Sequence, residues 1–300
     1  MQPSPIAVAL LSLSAALSSC SGDSSTDDGL NGSRLTVAVT FYPIEEIVRR
    51  VGGADIEVND LVPAGDEPHE YEPTPKQFAH LENADVVFYL GSDFQPNLQK
   101  VIEALPDSVR RVDLLQGVTL LNIEDGVDPH VWLDPRNMQL MVQTVADVLS
   151  AELPAQAAAF TRNAAAYTAE LGALHDELTA GLANCAVPVL ITTHEAFAYF
   201  AQAYGLTQVA IAGVSPGDEP SARQLEAIAQ LAADHGVTTV FFEENLPAEL
   251  ATTVAREIGA ATSSLGTAET LTQSQLDAGD SYLSIMRDNL QALRAGMVCA

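Results

Sequence analysis

Short apolar runs alternate along this chain with longer stretches whose apolar residues recur every three to four positions, the rhythm of strands exchanging with amphipathic helices. Leu35 to Thr40 reads as a strand and Pro43 to Val51 as a helix stopped by Gly52 and Gly53. Ile56 to Val62 is a second strand. It leads into a loop, Pro63 to Pro75, stiffened by four prolines and ending in a capping box in which Thr74 is the N-cap and Gln77 the third helical residue. A helix to about Asn83, a strand Val86 to Leu90, a helix Phe94 to Leu105 and a weak strand Arg111 to Leu114 complete an α/β half with a parallel sheet. Asp134 as N-cap with Pro135 at the first helical position opens the amphipathic stretch that runs to Leu149.

From Pro154 to about Ala183 an alanine-rich segment keeps helical period without an internal proline. Some thirty residues at the helical rise make a rod of about 45 Å, too long to cover one sheet, so it reads as a rigid connector. A second α/β half follows, with strands Pro188 to Thr192, Gln208 to Ile211 and Thr238 to Phe242. Its helices are Ala196 to Tyr204, Ser221 to His235, Pro247 to Ile258 and Tyr282 to Leu293. The expected organisation is an N-terminal lobe over 34–153, a linking helix over 154–184 and a C-terminal lobe over 185–300.

Composition changes the picture at the start of the chain. Residues 1–20 hold an apolar run from Ile6 to Leu17, too short to span a bilayer, followed by Leu17-Ser18-Ser19-Cys20, which resembles a bacterial lipobox with Cys20 as the lipid-modified residue. No Lys or Arg precedes the run, a departure from the usual signal. Residues 21–33 are almost free of apolar side chains and read as a flexible tether. An exported protein is expected, lipid-anchored to the outer face of the cell membrane or periplasmic, touching membrane only through that anchor. Of the three cysteines, Cys185 and Cys299 then remain, and in an exported chain an even pair is expected to form a disulfide, two buried thiols being the alternative. The formal charge of -27, from 40 acidic against 13 basic residues, repels nucleic acid and anionic membrane and assigns no partner by itself. A monomer is expected.

Six histidines carry the candidate chemistry. His80, His175 and His235 lie inside helical patterns, where a half-exposed structural role is the ordinary explanation. His69, His130 and His194 instead stand at strand-to-helix junctions, where open α/β sheets place their ligands. His130 sits in Asp128-Pro129-His130-Val131-Trp132-Leu133-Asp134-Pro135, which contains the only tryptophan. Glu124, Asp125 and Asp128 nearby read as solvated loop charges. The three histidines are far apart in sequence, so only the tertiary fold can join them. Three imidazoles suit Zn(II), with a fourth donor from carboxylate or water.

His69 with Tyr71-Glu72-Pro73-Thr74-Pro75-Lys76, the Asp128–Pro135 segment, Thr193-His194-Glu195-Ala196-Phe197-Ala198-Tyr199-Phe200 and Tyr282-Leu283-Ser284-Ile285-Met286-Arg287-Asp288-Asn289-Leu290 together resemble the zinc/manganese-binding solute-binding proteins of ABC transporters. The resemblance implies two Rossmann-like α/β lobes on a long backbone helix, one metal ion in the cleft between them and delivery to a membrane permease. It makes His69 and His130 ligands from the first lobe and His194 the first ligand of the second, and histidine at that third position points to zinc over manganese. The family's aspartate turn reads Ser263-Ser264-Leu265-Gly266 here. Ser263 is a poor zinc donor, which leaves water, Glu243 or Glu67 for the fourth position.

The expectation is therefore a receptor, not an enzyme, that captures Zn(II) outside the cytoplasm for an ABC-transporter permease. A manganese-binding homologue is the nearest alternative. A zinc hydrolase would also use three ligands plus water, but the chain has no His-Glu-x-x-His or comparable helical motif to supply a general base. An adhesin or metal-chaperone role stays open.

Overall fold

The apolar runs of the first half stack into a parallel sheet in a computed structural model that describes residues 34–123, 126–214, 217, 220–244 and 248–300. The expected export signal with Cys20, the tether over 21–33, Glu124, Asp125 and Pro247 lie outside the described residues. Strands β1 (Leu35–Val39), β2 (Ile56–Asp60), β3 (Val86–Tyr89) and β4 (Arg110–Asp113) are ordered β2-β1-β3-β4. Leu35 is in register with Ile56, and Val37 with Val86. Between them run α1 (Tyr42–Gly52), α2 (Pro75–Leu81) and α3 (Pro96–Glu103). A two-residue antiparallel pair, β5 (Asn122–Ile123) with β6 (Gly126–Val127), precedes α4 (Pro135–Glu152). Asp134 caps α4, its carboxylate accepting from the Arg136 N–H.

The alanine-rich segment forms α5 (Ala157–Leu182), 26 residues or about 39 Å of helix. Its buried residues Phe160, Ala164, Tyr167, Leu171, Leu174, Leu178 and Leu182 recur every three to four positions and so form one face. That face packs on α1 and α4 from the first half and on the last helix of the second. The second half comprises β7 (Val189–Thr192), α6 (Ala198–Tyr204), β8 (Thr207–Ala210), α7 (Ala222–His235), β9 (Thr239–Glu243), α8 (Glu249–Ile258), β10 (Ala261–Leu265), α9 (Gln273–Ala278) and α10 (Tyr282–Gly296). Its parallel sheet has the order β10-β9-β7-β8. A Cβ on Gly181 would come within 2.8 Å of Leu290, so glycine lets α5 and α10 approach closely.

Strand β10 and helix α9 are absent from the sequence reading. Ala-Thr-Ser-Ser-Leu has no apolar alternation because β10 is a sheet edge with mostly exposed side chains, and its place is set by pairing with β9.

Among the described residues, three apolar clusters fill the interior. One underlies the outer side of the first sheet, with Leu61, Leu81, Val87 and Leu98, and one the second sheet, with Ile191, Ile228, Val240 and Val254. The largest runs without interruption from Val37 and Ile44 through Trp132 and the face of α5 to Phe241, Tyr282 and Leu293, so the two lobes share one core. A disulfide joins Cys185 to Cys299, beside backbone bonds from Ala186 N–H to the Val298 carbonyl (3.1 Å) and Ala300 N–H to the Asn184 carbonyl (3.0 Å).

Candidate metal centre

Each histidine at a junction is held by its own stretch of chain. The proline-rich loop before α2 is sewn down by Gln77, which completes the Thr74 capping box and donates to the Leu61 carbonyl (2.6 Å) and to the Tyr71 hydroxyl (2.7 Å). Gln95 donates to the carbonyls of Thr40 (3.1 Å) and Pro68 (3.2 Å), fixing the residue before His69. His130 follows Asp128, whose carbonyl accepts from the Tyr199 hydroxyl (2.9 Å) and whose N–H donates to the Leu121 carbonyl (2.9 Å). His194 leaves the carboxyl end of β7, next to β9 where the strand order reverses, and its carbonyl accepts from Thr192 Oγ1 at 2.7 Å.

The three imidazoles converge. His69 Nε2 lies 3.3 Å from His130 Nε2, and the carboxylate of Glu269 reaches in from the loop after β10, with Oε1 3.6 Å from His130 Nε2 and 3.9 Å from His194 Nε2. One donor atom from each of the four lies within 4.8 Å of the others. Tetrahedral zinc with bonds of about 2.0–2.1 Å needs donors about 3.3 Å apart, so this cluster is close to the size of one ion's coordination sphere. All four residues are buried; His130 is 0 % and Glu269 4 % exposed. His194 Nε2 and Glu269 Oε1 have no hydrogen-bond partner among the described residues. Orphaned buried donors are costly unless something satisfies them, and a cation does so for both.

A carboxylate stands behind every imidazole. Glu67 accepts from His69 Nδ1, Asp128 from His130 Nδ1 at 2.7 Å and Glu243 from His194 Nδ1. With Nδ1 committed as donor, each ring presents its Nε2 lone pair to the centre. Burial holds His130 well below its ordinary value, helped by the neighbouring His194 and His69, so the ring is neutral and ready to ligate. Burial also raises Glu269 well above the carboxylate range, reinforced by the charges of Glu243 and Glu67. Asp128 is pushed up to about 7 by desolvation, against the His130 N–H bond that lowers it. Burial raises Glu67 too, but its hydrogen bonds and charge contact with His69 prevail and hold it below its usual value.

The sequence reading therefore changes in four places. Glu243 and Glu67, weighed as fourth donors, are spent on the far nitrogens of His194 and His69. The carboxylate facing the Nε2 atoms is Glu269, to which no local sequence pattern points. Ser263 lies within β10, paired in register with Phe241 and outside the cluster. Asp128 is not a solvated loop charge but fully buried against His130. The rule that picked the histidines, a position between a strand and the helix that follows it, also picks Glu269 once β10 and α9 are recognised. Of the other histidines, His175 bonds through Nδ1 to the Tyr204 hydroxyl (3.1 Å), while His80 and His235 are exposed.

Two parallel α/β lobes sharing a helical spine, with three imidazoles and a carboxylate buried together, define a bilobal protein fitted to a single transition-metal ion. The family model described as ZnuA, zinc-uptake complex component A, periplasmic, matches residues 37–296, and the chain belongs to this family. It is 32 % identical over 295 residues to the high-affinity zinc uptake system protein ZnuA of Bacillus subtilis, covering 92 % of each. Over 294 residues it is 36 % identical to the zinc-binding lipoprotein AdcA of Streptococcus pneumoniae serotype 4, covering 93 % of this chain but only 58 % of that protein. Among solved structures it superposes on the Zn(II)-bound ZnuA-like domain of pneumococcal AdcA with a TM-score of 0.78 and 36 % identity, covering 88 % of this chain and 99 % of that one. The laminin-binding protein Lmb of Streptococcus agalactiae, described as having adhesin and metal-transporting activity, gives 0.81 with 27 % identity, covering 88 % of this chain and 99 % of that one.

Proposed function

We propose that this protein is an extracytoplasmic receptor that captures one Zn(II) on His69, His130, His194 and Glu269 and passes it to an ABC-transporter permease. The observation that carries this reading is the convergence of three carboxylate-backed imidazoles and one carboxylate into a cluster close to the size of a single ion's coordination sphere. Three nitrogen donors favour zinc over manganese, which prefers oxygen. The cargo is bound and released, not transformed: all four positions of a tetrahedron are taken by side chains, whereas hydrolytic zinc keeps one open for water. An open cleft of about 760 Å³, lined by His69, Phe94, Pro129 and Glu195 among others, gives the ion a way in. No helix among the described residues is long and apolar enough to cross a membrane. The relatives named as lipoproteins support attachment through Cys20.

Titration with zinc against a competing chelator should give one tight equivalent per chain. Binding must displace protons, because Glu269 is raised well above the carboxylate range and protonated imidazole cannot ligate. Lowering the pH adds competitor, so affinity should drop between pH 7 and 5, by about tenfold per pH unit for each proton displaced. An affinity that stays level over this range, or failure to bind zinc at pH 7, removes the assignment. Glu243→Ala, which leaves His194 Nδ1 without its acceptor, should weaken zinc binding about 10- to 100-fold while His194 stays in place. An unaltered chelator-competition curve would show that the carboxylate does not tune the ring.

A further inference from the structure

The indole of Trp132 is fully buried, and its one polar atom does not bond within its own lobe. Nε1–H donates to the carbonyl of Thr267 at 2.8 Å, across 135 positions of sequence, in the loop that carries Glu269. Trp132 itself stands two positions after His130. One side chain thus connects the segment bearing a first-lobe histidine to the segment bearing the second-lobe carboxylate.

Its surroundings fix it from both sides. The ring packs on Phe41 (centroids 4.9 Å apart), Phe94 (5.2 Å) and His130 (5.2 Å), and Phe94 in turn lies 4.7 Å from His69. The Trp132 carbonyl accepts from the Tyr282 hydroxyl at 2.6 Å. The Tyr282 N–H, at the start of α10, donates to Glu46 of α1 at 2.8 Å, and Glu46 also accepts from the Tyr167 hydroxyl of α5 at 3.1 Å. The chain of bonds therefore runs from α1 and the spine through α10 to Trp132 and on to the Glu269 loop. A buried indole needs a partner for its N–H, where phenylalanine would fill an apolar core without that demand. Here the demand is met on the opposite lobe, at the shoulder of the donor cluster.

We infer that Trp132 is a positioning residue for the metal centre: its indole N–H, bonded to the Thr267 carbonyl, holds the Glu269 carboxylate in register with the first-lobe imidazoles. The inference rests on the ligand set proposed above. Without that bond, β10 keeps its sheet pairing and Thr270 Oγ1 still accepts from the Gly65 N–H (2.9 Å), but the loop loses its tie to the His130 segment, and the fourth donor shifts relative to the other three. Coordination distance tolerates little of this, so affinity falls and the coordination geometry loosens.

The test uses the full chain with Zn(II), and with Co(II) as a spectroscopic stand-in whose visible absorption is intense in a tetrahedral site and weak in a site with more ligands. Trp132→Phe keeps an aromatic ring in the core and removes the donor. It should lower zinc affinity about 10- to 100-fold and reduce and shift the Co(II) bands. Tyr282→Phe removes the hydroxyl that fixes the Trp132 backbone, leaves the packing intact, and should alter the Co(II) spectrum in the same direction with a smaller loss of affinity. A purely structural role would lower the melting temperature of both variants while leaving the Co(II) spectrum and the zinc affinity of the folded protein as in the parent. That result overturns the inference. If Trp132→Phe does not fold, Tyr282→Phe decides: a parental spectrum and affinity overturn it. Failure of the parent to bind either ion would remove the ligand assignment instead, whereas a parent that binds alongside unaltered variants removes only the role of Trp132.

Discussion

Replacing His130 by alanine should abolish tight zinc binding, with a loss well beyond the roughly 10- to 100-fold that removing a supporting carboxylate costs. His130 is the most enclosed of the three imidazoles, and its Nε2 lies 3.3 Å from that of His69 and 3.6 Å from the Glu269 carboxylate. Alanine leaves a void beside Trp132 that the rigid Asp128–Pro135 segment cannot collapse to fill. It also leaves Asp128 buried without its imidazole partner. Three donors remain, and one of them, Glu269, prefers its proton when no cation is present. Competition against a chelator of known affinity measures the change, with His80→Ala as a control because that ring is exposed and outside the cluster. Equal affinities for parent and His130→Ala would sink the ligand assignment.

Removing the Cys185–Cys299 disulfide should be the most damaging change to stability away from the site. The bond closes a loop with a sequence separation of 114, for which restriction of the unfolded chain is worth about 4–5 kcal/mol at most. The neighbouring backbone bonds of Ala186 and Ala300 survive, and they hold the same two segments together in the folded state. Urea unfolding of the Cys185→Ser/Cys299→Ser double variant should show a lower midpoint than the parent. Zinc affinity should stay the same, because Cys185 precedes β7 and His194 leaves its other end. A midpoint equal to the parent's would mean that the unfolded chain already keeps its two ends together.

How much of this could be read from residues alone depended on whether the signal was local. The Thr74 capping box, the Asp134–Pro135 helix start and the proline-free run of α5 are written in neighbouring residues, and all three appear where the pattern places them. The α/β class followed from strands alternating with helices. Strand β10 was illegible because an edge strand of small polar residues carries no apolar rhythm, and its existence depends on β9. Glu269 went unseen with it. Asp128 hides its role for a related reason: a carboxylate next to a proline in a loop looks solvated until the fold closes over it, and burial is a tertiary property. The histidines could be picked out because a junction position and its surrounding motif are both local. Their meeting point, and the three carboxylates behind them, are not.

The apolar interior common to both halves bears on how cargo changes hands. Prising the halves apart would expose Trp132, Phe241, Tyr282 and the inner face of α5 to water at once, so a wide jaw-like gape is energetically out of reach. Under the receptor function proposed above, a docking transporter would then have little angular difference by which to tell a laden molecule from a vacant one. It would have to sense the texture of the rim, where residues 63–66 and Glu70 of the proline-rich strip face outward around the buried His69, and vacant molecules would jostle laden ones for the same berth.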